Sequence, residues 1–306
     1  MNHHIVPPLI TAFFTGLALP SLLARARWVR LAPRLAVATW GFLAATFTGA
    51  VATGVLTLLL PYDDAHRMVR RVAGCVPGDG QGCHPGPQGT ADLVALIASA
   101  AVLALPTGAL FRELLKARRR RARHAQGLRM IGRRDAGLRA TVVPHPEPMV
   151  YCLPGHAAQI VVTTGALHIL TDAQLAAALR HERAHIAGRH HVMIGACEAF
   201  GRVFRGLPLT RRARSEVPLL LEMAADDHAL RHCTRDVLAT ALYSMATARM
   251  TDRAALAAGG PSTAIRIARI LDGRRGGHPA LACLMAVGGT AMALMPLATT
   301  CCFILP

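Results

Sequence analysis

Acidic residues and paired cysteines are scarce in this sequence. It has 17 acidic residues against 34 lysines and arginines, which gives a formal net charge of +17. None of its eight cysteines form a C-x-x-C pair, which argues against a zinc site built from cysteines. The chain also lacks internal repeats and, apart from one arginine-rich run, low-complexity tracts. A repeat architecture is therefore not expected.

Charge is missing from four long stretches, at residues 5–24, 35–60, 93–111 and 279–306. Each is long enough to cross a bilayer as a helix. Hydrophobic residues make up 53% of the chain and the mean hydropathy is +0.36, which is too apolar for an ordinary soluble protein. Because no positive charge directly precedes the first stretch, it is not typical of a cleaved secretory signal. The sequence therefore predicts four transmembrane helices.

The positive charge is concentrated beside these apolar stretches. Residues 24–34 contain four arginines and no acid, and residues 112–135 contain ten basic and two acidic residues. Positive residues that flank membrane helices face the cytoplasm, and this favours membrane orientation over nucleic-acid binding as the role of the charge. We therefore expect a multi-pass protein of the cell membrane with its N-terminus outside and residues 112 onward in the cytoplasm.

The predicted organisation has three parts. Residues 1–111 form a membrane domain with three spans and an external loop at 61–90. Residues 112–278 form a cytoplasmic domain, and the last apolar stretch crosses the membrane again. In the external loop, Cys75 and Cys83 flank a Gly/Pro-rich segment and are expected to form a disulfide, with two unpaired thiols as the alternative.

The cytoplasmic region has an α+β pattern. Short β-type runs separated by Pro and Gly occupy residues 138–170 and predict a small sheet. Thr171 and Gln174 then have the spacing of a capping box that opens a helix. The pattern beyond it predicts a helix at 192–206, a turn at 207–214 and a helix from Ser215 to His232 with Pro218 in its first turn. A helix over Val237–Met250, a break at 259–261 and a short helix near Ile265–Leu271 are predicted to follow.

The capped helix contains His181, Glu182 and His185 in the order H-E-x-x-H. On a helix the two histidines are one turn apart on the same face, where two imidazoles can bind Zn²⁺. Glu182 is placed to accept a proton from zinc-bound water and to pass it to the leaving amine. The preceding β-type run, Gln159–Thr164, is expected to be an edge strand that pairs with an extended peptide substrate.

Catalytic zinc usually has a third protein ligand. Glu222, which begins the sequence E-M-A-A-D, is the best candidate because Asp226 follows one turn later. Asp226 could then orient a ligand histidine through its other ring nitrogen. Glu198 has no such partner acid, and Glu216 lies where a carboxylate is favourable for helix capping alone.

Several other polar residues are candidates for smaller roles. His228 could donate a hydrogen bond to the oxyanion of the tetrahedral intermediate, or be a surface histidine. His232 and Tyr243 are weaker candidates for the same role. His190 and His191 could support the metal ligands or be solvated at a helix end.

The sequence R-H-E-R-A-H, the preceding I-V-V-T-T-G-A-L and the E-x-x-A-D pattern, within four predicted spans, resemble the BlaR/MecR-type membrane metallopeptidases. The resemblance implies a gluzincin fold with His181, His185 and Glu222 as zinc ligands and Glu182 as catalytic base. It also implies a cytosolic protein target, often a winged-helix repressor, or self-cleavage. The external penicillin-binding domain of the family's sensor members is absent after residue 306, so β-lactam sensing is not expected.

Two other interpretations remain open. V-T-T-G-A-L and E-x-x-A-D also resemble the HtpX-like membrane proteases, which act on misfolded membrane proteins or lipidated peptides. A non-catalytic membrane scaffold or receptor stabilised by zinc is the third interpretation. An intact Glu182 argues against it, because a structural zinc site needs no base.

Overall fold

The first apolar stretches form long helices in the computed structural model, which describes residues 5–59, 90–155, 158–249, 255–273 and 288. Three of the described helices are long and apolar enough to cross a membrane: Val6–Arg25, Pro33–Leu59 and Leu93–Ile131. These helices support the prediction that this is a membrane protein. The predicted fourth span at 279–306, apart from residue 288, lies outside the residues that the structure describes, and so do residues 61–89 of the external loop, with Cys75 and Cys83.

The N-terminal helices are α1 (Val6–Arg25), α2 (Trp28–Leu31) and α3 (Pro33–Leu59). Helix α1 widens into a π-turn at Phe14–Ala18, just before Pro20. Since proline has no backbone N–H and cannot continue the regular hydrogen-bond pattern, a local widening at this point is expected.

The third apolar stretch continues without a break into the arginine-rich run. Helix α4 spans Thr90–Ile131, 42 residues, with Pro106 inside it. Its apolar half ends at Phe111, and its basic half extends about 30 Å further. At the far end Leu128 packs against Val143 and Val161 of the sheet. One helix therefore connects the predicted membrane region to the sheet.

The sheet has four strands: β1 (Arg133–Asp135), β2 (Ala140–Val143), β3 (Val150–Leu153) and β4 (Gln159–Thr163). Their order is β1-β2-β4-β3, with β2 and β4 parallel and the outer pairs antiparallel. The small predicted sheet is confirmed, although β1 had no apolar pattern from which to predict it.

The prediction that Gln159–Thr164 forms an edge strand is wrong. Strand β4 lies between β2 and β3, and four of its five residues are buried. A continuous apolar run such as Ile160–Val162 is typical of an interior strand that is covered on both faces. The edge strand beside β4 is β3, whose sequence is less uniformly apolar.

In the part of the chain that the structure describes, six helices follow the sheet: α5 (Thr164–Ile169), α6 (Asp172–Ala187), α7 (His190–Val203), α8 (Pro208–Ala229), α9 (Arg235–Arg249) and α10 (Ala255–Asp272). Two of the predicted boundaries are wrong. The segment 207–214 is not a turn, because α8 begins at Pro208, where a proline suits the first helical position. Pro218 therefore lies inside α8, and α10 continues through the predicted break at 259–261.

Helix α8 has two distinct faces. One carries Glu222 and Asp226, and the opposite face packs against α1, α2 and α3. The buried residues of this contact are Leu23, Val29, Ala36, Trp40, Leu43, Phe47, Leu209, Ala213, Val217, Leu220 and Leu221. The candidate metal-binding helix is thus a direct neighbour of the first two spans.

Phe47 of α3 packs against the C-terminal end of α7. Its ring makes edge-to-face contacts with Phe200 and Phe204, at centroid distances of 6.2 and 5.1 Å. On the other side it lies against Gly16 of α1, where an added Cβ would be 2.9 Å from the ring. Phe47 therefore fills a space between three elements.

We expect Phe47→Ala to lower the free energy of unfolding by about 3 kcal/mol, because it leaves a cavity that its neighbours cannot fill. Thermal unfolding of the full chain in detergent measures this loss. Phe111→Ala is the matched control, since Phe111 is 64% exposed, and it should change the stability little. Equal loss in both variants would contradict the assigned packing role.

Candidate metal centre

The helix with the two histidines begins at the predicted capping box. The Thr171 hydroxyl accepts a hydrogen bond from the Gln174 backbone N–H, and the Gln174 side chain accepts one from the Thr171 N–H. This arrangement satisfies two N–H groups at the start of α6 and fixes where the helix begins. His181 and His185 follow one turn apart on the face that meets α8.

Three predicted ligands converge at one point. His181 Nε2 is 3.1 Å from His185 Nε2, and the two nitrogens are 3.3 and 3.5 Å from the two carboxylate oxygens of Glu222. Two ligand atoms at about 2.0–2.1 Å from a tetrahedral zinc ion lie about 3.3 Å apart. These three side chains form a possible metal-binding group, and their donor types and spacing fit Zn²⁺.

The group is open on one side. The side chain of His181 is 8% exposed and that of His185 14%, whereas that of Glu222 is 38% exposed. Among the described residues, these three offer the ligand atoms and no fourth side chain joins them. Catalytic zinc sites have this layout, with three protein ligands and one accessible position.

Asp226 lies behind His181, as the sequence predicts. Its Oδ1 is 3.0 Å from His181 Nδ1, which is an ion-pair distance. The angle between the two groups is not that of a well-aligned hydrogen bond. Burial alone would lower the pKa of His181, but the carboxylates of Asp226 and Glu222 outweigh it and raise that pKa. The same two carboxylates would stabilise a divalent cation bound beside His181.

Arg266 holds both acidic residues in place, and no sequence pattern indicated this role. It lies on α10 and donates two hydrogen bonds to Asp226, at 2.8 and 2.7 Å. Its Nη1 is also 2.9 Å from Glu222 Oε2. Burial alone would raise the pKa of Glu222, but the contacts with His181 and Arg266 hold it well below its usual range. Glu222 is therefore ionised, which is the form that binds a metal.

His190 supports His185 from the other side. Its Nδ1 is 2.8 Å from His185 Nδ1, and His190 is buried. The left-handed backbone of Arg189, at φ 49°, turns the chain sharply between α6 and α7 and brings His190 back onto His185. Burial lowers the pKa of His185 to about 4, so its imidazole is neutral and can bind a metal.

The carboxylate of Glu182 interacts with the edge strand β3. The thiol and backbone N–H of Cys152, on β3, contact its carboxylate. Burial raises the pKa of Glu182, and burial together with this carboxylate raises the pKa of Cys152 to about 12. The thiol is therefore protonated and can donate to Glu182. No local sequence pattern sets Cys152 apart from the other cysteines.

The remaining candidates lie apart from the three ligands. Glu198 pairs with Arg214, and the His228 ring is 6.1 Å from that of His232. His228 is about 120° around the α8 axis from Glu222, so its predicted oxyanion role has no support from its contacts and stays a prediction. Tyr243 is 62% exposed. Glu216 lies in the third turn of α8 rather than at a helix start, and His191 has a buried Nδ1 with no hydrogen-bond partner among the described residues.

We expect Arg266→Ala to weaken zinc binding by about 10–100-fold, since it removes the group that fixes both Glu222 and Asp226. It should also lower the free energy of unfolding by about 3–5 kcal/mol, because a buried Asp226 carboxylate loses its partner. Zinc affinity by chelator competition and thermal unfolding of the full chain measure the two effects.

Arg269→Ala is the matched control for Arg266. It removes a similar two-bond contact, to Asp227, from the same helix without touching a ligand. It should lower stability and leave zinc affinity unchanged. The double variant Arg266→Gln/Asp226→Asn removes both charges and should recover stability but not zinc affinity. If Arg269→Ala weakens zinc binding as much as Arg266→Ala, the orienting role of Arg266 is wrong.

His190→Ala should weaken zinc binding by about 10–100-fold as well, because His185 loses the contact that orients its ring. The neighbouring His191→Ala should not, since His191 has no contact with a ligand. His190→Asn keeps a side chain that can bond His185 and should restore part of the affinity. The visible absorption of the cobalt-substituted protein reports ligand geometry independently of activity.

Comparison with known proteins gives one match. Residues 117–205 match the family model described as Peptidase family M48. The match includes both histidines and Glu182 but ends before Glu222, Asp226 and Arg266. No curated protein and no solved structure matches this chain. The family match, together with the three converging ligands, indicates a metallopeptidase.

Proposed function

We propose that this protein is a membrane-bound zinc metalloendopeptidase that cleaves peptide bonds on the cytoplasmic side of the cell membrane. The observation that carries the proposal is the group of His181, His185 and Glu222, which converge beside Glu182 and remain open on one side. The match of residues 117–205 to a peptidase family supports it. The positive-inside pattern of the arginines supports the cytoplasmic location.

His181, His185 and Glu222 would hold the zinc ion. When bound, zinc would lower the pKa of a water molecule and polarise the scissile carbonyl. Asp226 and His190 keep the two imidazole rings in their orientation, and Arg266 keeps Glu222 ionised. Contacts within the chain itself thus hold the ligand atoms in place.

Glu182 acts as the general base. Its raised pKa brings it closer to the pH at which it must both accept a proton from the attacking water and release one to the leaving amine. The contact with Cys152 fixes the carboxylate beside the edge strand. A carboxylate held in this way does not need to be reordered during the reaction.

The free edge of β3 is the best-placed binding surface for the substrate. Among the described residues, Val150–Leu153 pairs with β4 alone, and Cys152 near its centre contacts Glu182. An extended peptide that adds to this edge as a further strand would bring its backbone past the base. The strand-addition role that the sequence predicted for Gln159–Thr164 is therefore proposed for β3.

Two classes of protein substrate are considered for this peptidase. Regulatory cleavage of a winged-helix repressor, or of the protein itself, is the role that the BlaR/MecR-type resemblance implies. Quality control of membrane proteins is the alternative, and it is supported by the packing of α8, the helix that carries Glu222, directly on α1 and α3. A zinc-stabilised scaffold is the least favoured function, since structural sites are closed by four protein ligands.

Glu182→Gln should abolish peptide cleavage while leaving zinc content unchanged, because it removes the base but no ligand. Cleavage of an unstructured protein by the full chain in detergent, with zinc measured on the same sample, tests this. Chelation should stop the wild-type reaction and added zinc should restore it. Retained proteolysis in Glu182→Gln would contradict the assignment of Glu182 as the general base.

The same variant can identify the substrate. Peptide termini that appear in cells with the wild type and vanish in cells with Glu182→Gln mark the cleavage sites. Termini in a transcriptional repressor would support regulatory proteolysis, and termini in many membrane proteins would support quality control.

A further inference from the structure

One arginine of the basic run lies on the inward face of α4. Between residues 116 and 127 of this helix, all residues are exposed except Ala117, Arg121 and Ala125. These three recur at intervals of four residues, and residues with that spacing share one face of a helix. Arg121 is therefore the one charged residue on the inward face of this stretch, whereas Arg120 and Arg123 beside it are exposed.

The contacts of α4 on either side of Arg121 show what this face meets. Before it, Leu114 packs against Gly195 of α7. After it, His124 bonds the Tyr151 hydroxyl of β3 at 3.0 Å. Arg121 is about 10 Å along the helix from Leu114 and about 5 Å from His124. It therefore faces the space between the first turn of α7 and the edge strand β3.

The charge of Arg121 acts on residues at both borders of this space. It interacts with Cys152 on β3, the strand proposed to bind the substrate. It also interacts with His191 in the first turn of α7, where burial, followed by the charge of Arg121, lowers the pKa of the imidazole. His190, the residue before it, contacts the metal ligand His185. Arg121 and His191 thus lie beside the metal centre.

Arg121 and His191 both lack an acidic partner. Among the described residues, no carboxylate forms an ion pair with Arg121, whereas Arg202 and Arg214 on the neighbouring helices each have one. The buried Nδ1 of His191 has no hydrogen-bond partner in the same part of the chain. A guanidinium and an imidazole can both donate to carboxylate oxygens, so a carboxylate that enters this space would satisfy both groups.

We propose that Arg121, with His191 opposite it, binds a carboxylate of the peptide substrate and so selects peptide bonds near an acidic residue or a free C-terminus. Arginine suits this role because its planar guanidinium offers two parallel N–H donors to one carboxylate. The inference rests on the proposed peptidase function, whose substrate class it names. Arg121 is neither a metal ligand nor the base, so its role is to select the substrate.

Peptide binding to the zinc-loaded Glu182→Gln variant, as the full chain in detergent, tests this site without cleavage. The probes are fluorescein-labelled, amidated peptides of Ala, Ser and Leu that carry one Asp or, as the neutral match, one Asn. We expect fluorescence anisotropy to show about tenfold tighter binding of the Asp peptide, because it gains a charge-assisted contact. Adding Arg121→Ala should reduce the ratio of the two affinities to about one.

Arg120→Ala is the matched control, since it removes the same charge from the exposed side of the same turn. It should keep the preference for the Asp peptide. Arg121→Glu should reverse the preference and favour a peptide with one Lys. His191→Ala should reduce the preference by about threefold, because it removes the weaker of the two donors. Thermal unfolding verifies that each variant is folded.

The position of cleavage by the wild type is a second readout. When the Asp is moved along the peptide, the cut, located by mass spectrometry, should move with it at a constant distance. With Arg121→Glu the cut should follow a Lys instead. A peptide without Asp is then compared as free acid and as amide. A preference for the free acid that depends on Arg121 identifies the C-terminus as the source of the carboxylate.

Two outcomes would overturn this inference. One is a binding preference that survives in Arg121→Ala, or that is absent for both kinds of carboxylate. The other is equal loss of the preference in Arg120→Ala, which would mean a diffuse charge effect. Binding that depends on Arg121, with no cleavage by the wild type, would support the site and contradict the proposed peptidase function. Cleavage that does not depend on Arg121 would contradict the site alone.

Discussion

The buried carboxylate of Asp226 is the constraint on which the rest of the centre depends. Its side chain is 1% exposed, and a charge removed from water to this extent is stable only with good partners. Arg266 supplies two hydrogen bonds from α10, and His181 lies against the remaining side. The positions of His181 and Glu222 therefore depend on the docking of α10 on α8.

A second contact of the same kind ties this arrangement to the membrane helices. Arg269, one turn along α10 from Arg266, binds Asp227 and also donates to the backbone carbonyl of Arg30. Arg30 is in α2, between the first two spans. Asp227, the residue next to Asp226, is thus bound to α10, and α10 also contacts Arg30 between the first two spans. The metal centre and the membrane region are therefore linked by direct contacts.

The local parts of the centre could be predicted from the sequence, and the long-range parts could not. The capping box and the H-E-x-x-H spacing depend only on residues within one helix, and the E-x-x-A-D pattern repeats the spacing of one helical turn. Arg266 is 40 residues from Asp226 in a chain with 34 basic residues, so nothing in the local pattern sets it apart. The order of the strands is also absent from local patterns, which is why the edge was assigned to β4 instead of β3.

The continuous helix α4 sets how far a substrate must extend. His124 bonds the Tyr151 hydroxyl of β3 at 3.0 Å and lies about 20 Å along the helix from Phe111, where the apolar half ends. Extended chain covers about 3.3 Å per residue, so a substrate anchored in the bilayer needs roughly six extended residues to reach the β3 edge. If β3 binds the substrate as proposed, peptide bonds closer than this to a membrane anchor would be out of reach, whatever their sequence.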